Sequence, residues 1–124
     1  MTDKVVDASA LAAVVFAESK LHIVEPLIVG HRLLAPYLLK SELANVCVKK
    51  LRAQPAARST IFGLFSIVWG MPIVFHDIDP GEVLTLADRL RLSAYDASYL
   101  WLAQNLGIEL VTLDERLEMA AKKI

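Results

Sequence analysis

Residues 5–9, Val-Val-Asp-Ala-Ser, join two apolar β-branched residues to an acid and two small residues. Val5 and Val6 make a short buried strand, and the run from Ser9 to Glu18 that follows has helical composition. Asp7 stands where one gives way to the other. A strand that turns at once into a helix is the first half of a unit whose next strand runs parallel to it, because parallel neighbours need a crossover.

Outward from this point the same alternation continues. A helical segment from His22 to Val29 is closed by Gly30, and a short strand at Leu33 to Ala35 is stopped by Pro36. From Tyr37 to Arg52 the apolar positions Leu39, Leu43, Val46 and Cys47 fall at helical spacing. Pro55 opens a helix to about Trp69, and Ile73 to Phe75 reads as a strand after the break at Gly70 and Pro72. Asp79 and Pro80 are the cap and first residue of a helix through Leu90, and Ser93 caps another that carries Leu100 and Ala103 inward and ends before Gly107. Ile108 to Thr112 is the last strand, and Asp114 opens the final helix, Glu115 to Lys123. The expected fold is a three-layer α/β/α sandwich around a parallel sheet. In such sheets the crevice beyond the carboxyl ends of the strands is the binding site.

The 124 residues are enough for one domain, residues 1–124, with one site. The net charge of −1 excludes a protein that coats nucleic acid by bulk electrostatics, so any such contact is local. Basic residues do cluster at Lys49, Lys50, Arg52 and Arg58, at Arg89 and Arg91, and at Lys122 and Lys123, where solvated helix ends are the plainer explanation. The apolar fraction of 56% and mean hydropathy of +0.48 fit either a meeting with another chain or a core rich in alanine and leucine. Cys47 is alone and forms no internal disulfide, and His22, His31 and His76 stand at no zinc-ligand spacing. Asp3 and Asp7 precede the apolar run Ala8 to Phe16 where a signal peptide has positive charge, and Gly70 and Pro72 interrupt the uncharged stretch from Ser59 to Phe75. A cytoplasmic protein without a membrane span is expected.

Four acids fall where the crevice should be. Taken singly, Asp7 and Asp114 are helix caps, and Asp96, three residues after Ser93, fits a capping box. Glu42, on a helix whose Leu39, Leu43 and Val46 face the core, reads as a solvated side chain, with Asn45 three residues on and on the same face. The conjunction is what those readings leave unexplained. A parallel sheet brings Asp7 and Asp114 out at one edge, and the first turns of two helices bring Glu42 and Asp96 beside them. Carboxylates packed together repel, and they stay ionised when a cation neutralises them. Oxygen donors without thiol or imidazole select a hard divalent ion, Mg2+ or Mn2+.

At these residues the chain resembles the PIN-domain nucleases, and within them the small VapC-type toxins of prokaryotic toxin–antitoxin pairs. The resemblance rests on V-D-A-S at residues 6–9, S-E-L-A-N-V at Ser41 to Val46, Y-D-A-S-Y at Tyr95 to Tyr99, and V-T-L-D at Val111 to Asp114, and it spans nearly the whole length. It implies a PIN-like sheet of four or five strands, the fifth in doubt because some relatives add an edge strand after the helix that is last here. It implies that Asp7, Glu42, Asp96 and Asp114 are the catalytic and metal-holding quartet, with Ser9, Asn45 and Thr112 as polar supports. Ser9 and Thr112 have the alternative of capping helices or finishing strands, and Tyr95 and Tyr99 are expected to be packing residues. The implied activity is Mg2+- or Mn2+-dependent hydrolysis of RNA phosphodiesters to a 5′-phosphate and a 3′-hydroxyl. The implied partners are an RNA substrate, a cognate antitoxin lying on apolar helices near Phe65 and Trp69, and a second copy in a homodimer.

Two other function classes compete. A phosphoacceptor needs a lysine near the last strand, where Leu113 and Asp114 stand, and a phosphatase of the haloacid type needs an aspartate at the position of Ser9. No glycine pattern for nucleotide phosphates is present. The remaining rival is a PIN-fold binding module without catalysis, against which the retention of all four acids counts.

Overall fold

The computed structural model describes residues 2–123, so the outermost residues of the expected 1–124 domain lie outside the described residues. The order is β1 (Asp3–Val6), α1 (Ala8–Val15), α2 (Leu21–Ile28), β2 (Arg32–Pro36), α3 (Leu38–Ala53), a 3-10 turn (Pro55–Ala57), α4 (Arg58–Val68), β3 (Ile73–His76), α5 (Pro80–Leu90), α6 (Ala94–Leu106), β4 (Glu109–Val111) and α7 (Glu115–Lys122). The expected α/β/α sandwich is present. The described residues contain four strands, which settles the choice between four and five for that span.

All pairings are parallel, in the order β3-β2-β1-β4. The chain therefore moves outward from β1 to β3 and then crosses back over the sheet to reach β4. Right-handed crossovers in opposite directions put their helices on opposite faces. Accordingly α1, α2, α3 and α4 pack together on one face, and α5, α6 and α7 on the other, with α6 lying across β1, β2 and β4. Because the connections part in opposite directions between β1 and β4, a crevice opens there at the strands' carboxyl ends.

The core is built from Val5, Val6, Leu33, Leu34, Ala35 and Val111 of the sheet, clamped between Leu11, Leu39 and Leu43 on one side and Tyr99 and Leu102 on the other. Each fully buried Leu or Val there contributes roughly 1.5–3 kcal/mol. The buried alanines 8, 10, 12 and 13 let α1 approach its neighbours closely.

Boundaries differ from the expectation where backbone geometry intervenes. The first helix ends at Val15, short of Glu18, because Ala17 adopts a left-handed conformation with φ of 48°. Pro55 opens a 3-10 turn, and the α-helix begins only at Arg58. Gly30 and Gly107 do end their helices, with φ of 83° and 67° that only glycine adopts without strain.

Candidate active site

Asp7 leaves β1 at its carboxyl end, its amide donating to the carbonyl of Val111 at 3.3 Å. This pairing sets Asp7 level with Thr112 on the neighbouring strand's exit. As the cap of α1, Asp7 Oδ1 accepts the amide of Ala10 at 3.0 Å and the hydroxyl of Ser9 at 2.7 Å. Its Oδ2 accepts the hydroxyl of Thr112. The amide of Leu113 in turn donates to Ser9 Oγ at 3.0 Å, and that of Asp114 to Thr112 Oγ1 at 3.0 Å. Two segments about a hundred residues apart are thus laced around one carboxylate, which is only 5% exposed.

Asp114 caps α7 through the amide of Leu117 at 3.1 Å, and Asp96 stands in the first turn of α6, its amide donating to Ser93 Oγ at 3.0 Å. Glu42 rises from α3, and its Oε1 accepts the hydroxyl of Tyr99 at 2.5 Å. The half-buried Glu42 and the exposed Asn45 line one open cavity of about 600 Å³ with Ala8, Ser41 and Tyr95. The amino ends of α1, α6 and α7 carry three of the acids, and their positive dipole ends favour negative charge there.

The electrostatics report the convergence directly. Burial pushes Asp7 above the usual carboxylate range, opposed by its bonds from Thr112, Ala10 and Ser9, and the charge of Asp114 adds to the rise. Burial also raises Glu42; Tyr99 opposes it, and the charges of Asp96 and Asp7 reinforce it. Asp96 is raised by burial and by Asp114 and Asp7, with Arg116 and Ser93 pulling the other way. Tyr99 is raised by burial and by its bond to Glu42, and the charges of Asp7 and Asp96 act on it too. Asp7, Glu42 and Asp96 therefore each feel at least one other acid of the quartet. The ion pairs among the described residues, Lys4–Glu109, Asp3–Arg32, Glu18–Lys50 and Glu118–Lys122, include none of the four.

The donor set fits a hard divalent cation, since it offers carboxylate and hydroxyl oxygens and an excess of negative charge. Among the described residues, no three acidic, histidine or cysteine side chains already close around one point. Asp114 is turned to the amide of Leu117 and Glu42 to the hydroxyl of Tyr99.

A family model described as the PIN domain matches residues 4–123. The chain belongs to the PIN-domain family. It is 31% identical to Ribonuclease VapC9 of Mycobacterium tuberculosis, over 91% of this chain and 87% of that protein. The crystal structure of PAE2754 from Pyrobaculum aerophilum superimposes with a TM-score of 0.73 at 29% identity, covering 96% of this chain and 84% of that one. That of Mycobacterium tuberculosis VapC20, described as a toxin that cleaves the sarcin-ricin loop, does so with a TM-score of 0.67 at 14% identity and 94% coverage of both, a likeness of fold.

In this PIN domain the expectation that Tyr95 and Tyr99 are packing residues holds for Tyr99 and fails for Tyr95. Tyr99 is buried in the core, yet its hydroxyl is also the partner of Glu42. Tyr95 is 65% exposed and stands on the lip of the cavity beside Glu42, because its position in the first turn of α6 faces out of the sandwich. Arg116 was not singled out by sequence; its guanidinium donates to the carbonyl of Arg91 at 3.0 Å and acts on Asp96. The signal for Tyr99 was available, since it follows Asp96 by three residues and so shares a helical face with it.

Proposed function

We propose that this VapC-type PIN ribonuclease cuts RNA by divalent-metal-assisted hydrolysis at the cluster of Asp7, Glu42, Asp96 and Asp114. The observation that carries the proposal is the convergence of four acids from four separate segments: Asp7 is joined through Thr112 to the turn of Asp114, and Glu42 through Tyr99 to the helix of Asp96, and none of the four is in an ion pair among the described residues. Asp7 and Asp96 would be the principal holders of Mg2+ or Mn2+, with Asp114 and Glu42 completing the set, Glu42 also orienting a water. The ion, when bound, supplies neutralisation of the phosphate charge and a more acidic water.

The chain's own groups do the positioning. Ser9, Thr112 and the Ala10 amide fix the Asp7 carboxylate, so that little reorganisation is needed when substrate arrives. Tyr99 holds one oxygen of Glu42 and leaves the other to orient water and take its proton. The raised pKa of Glu42 suits that role, since a stronger base accepts the proton more readily. Water attacks phosphorus in line, the bond from phosphorus to the 3′-oxygen breaks, and the products are a 5′-phosphate and a 3′-hydroxyl. Asn45, exposed on the same cavity, contacts the RNA or a water of the site.

As the toxin of a cytoplasmic pair, the protein would be silenced by its antitoxin. The shallow apolar cavity between α3 and α4, lined by Cys47, Leu51, Ile61, Phe62 and Phe65, supports an antitoxin contact, as the exposed Ile67 of α4 does. A homodimer is part of the same reading. Among the described residues no helix is long and apolar enough to cross a membrane.

The test is cleavage of total RNA with and without Mg2+ or Mn2+, by the protein and by Asp7→Asn. Cleavage should require the metal and fall by at least about a hundredfold in the variant, as loss of a group engaged in electrostatic stabilisation implies. Undiminished cleavage by a folded Asp7→Asn protein contradicts the assignment.

A further inference from the structure

A second cavity, of about 350 Å³, lies beyond the carboxyl ends of β2 and β3 and under the first turn of α6. It shares Leu38 and Tyr95 with the cavity that holds Glu42 and Asn45, so the two are neighbouring compartments. Its size is in the range of small-molecule pockets, about 300–1,000 Å³. Its floor is apolar, with Pro36, Ile78 and Val83, and no lysine or arginine stands among its walls. An acid, Asp77, does. Such a compartment repels a phosphate and suits an uncharged ring.

Three further features point to a planar heteroaromatic ring. Tyr37 and Tyr95 stand in its walls and are 53% and 65% exposed, and exposed aromatic residues at a nucleic-acid cleft are stacking platforms. Tyr37 is braced from behind by Phe75, with ring centroids 5.7 Å apart and an interplanar angle of 23°. His76 contributes to the wall, and its buried Nε2 has no hydrogen-bond partner among the described residues. A buried polar atom without a partner is costly and calls for one. Once the imidazole turns toward the compartment, the edge of a nucleobase supplies it.

We propose that this compartment holds an unpaired nucleobase next to the phosphate that is cut, stacked on Tyr95 and Tyr37 with its edge read by His76. The proposal rests on the ribonuclease reading and makes it more specific: the substrate must present an unstacked nucleotide beside the cut, as RNA loops and single strands do. Tyr95 and Tyr37 would set binding at that position, and His76 the choice of base.

The test begins by mapping a cut in a short RNA. Substrates are then made that carry an abasic residue at each position flanking the cut, and kcat/KM is measured for the protein and for Tyr95→Ala. That variant alters an exposed side chain, and circular dichroism checks its fold. With the unaltered protein, one abasic position should lower kcat/KM by about tenfold or more, the usual scale of base stacking. Tyr95→Ala should already be slow on the intact RNA by a similar factor and lose little more from the same abasic residue. His76→Gln should change which base is preferred at that position. Equal abasic penalties in both proteins, or no penalty at any position, overturn the pocket and leave the ribonuclease reading standing. If the unaltered protein cuts no RNA, both fall.

Discussion

Asp7 is a buried acid whose two oxygens are occupied by an amide and two hydroxyls, so its orientation is fixed before any ligand arrives. Groups that orient a metal-holding carboxylate are worth about 10–100-fold in metal affinity or activity. Ser9→Ala and Thr112→Ala should each lower metal-dependent kcat/KM by that factor while the far-ultraviolet spectrum stays unchanged; full activity in both would show that their hydroxyls serve only the local backbone. Tyr99→Phe isolates another bond, since it keeps the buried ring and deletes the hydroxyl that Glu42 accepts. That bond holds the Glu42 pKa down against burial, so its loss raises the pKa further. Glu42 must be ionised to take a proton, and the acid limb of the pH–rate profile should therefore move to higher pH. A limb that stays in place counts against Glu42 as the base.

At the scale of elements, the strand-to-helix junctions do the positioning, and they were also the readable part of the sequence. V-V-D-A-S and V-T-L-D each announce a strand, a turn and a capping acid within a few residues, so Asp7 and Asp114 could be assigned to one sheet edge from local pattern. Ser93 and Asp96 carried the same kind of local signal, and Ser93 Oγ does accept the Asp96 amide. The bonds of Ser9 with Asp7 and Leu113 were not readable, because Leu113 lies 104 residues from Ser9 and the pairing depends on the register of β1 against β4. Tyr95 and Tyr99 look equivalent in Y-D-A-S-Y, and only the depth of α6 in the sandwich separates the lip residue from the core residue. The extent of β1 was underestimated because Asp3 and Lys4 are charged, yet they pair in register with Arg32 and Leu33. The end of α6 offers a clean check on the backbone argument. A Cβ on Gly107 would meet nothing within 4 Å, so Gly107→Ala should cost only the strain of its left-handed conformation, about 1–2 kcal/mol in chemical denaturation. No loss of stability would mean the helix ends there for another reason.

For the whole molecule, the acid cluster is a source of instability that a bound cation would relieve. Asp7, Glu42 and Asp96 all have pKa values raised on folding, so between the ordinary carboxylate range near 4 and their folded values the native state binds more protons than the unfolded one. Their contribution to stability is then greatest below the ordinary range and declines as pH rises toward the folded values. Without divalent metal, Asp96→Asn should raise the melting temperature by a few degrees at neutral pH and have little effect near pH 4; an equal effect at both pH values would contradict burial and repulsion of the Asp96 charge as the cause. The account as a whole stands on four acids from distant segments acting as one cation site. Calorimetric titration with Mn2+ at neutral pH, on the protein and on single Asn or Gln variants at positions 7, 42, 96 and 114, tests this most directly. Saturable binding that weakens about tenfold or more in each variant is the predicted result. Binding of undiminished strength in all four would contradict it.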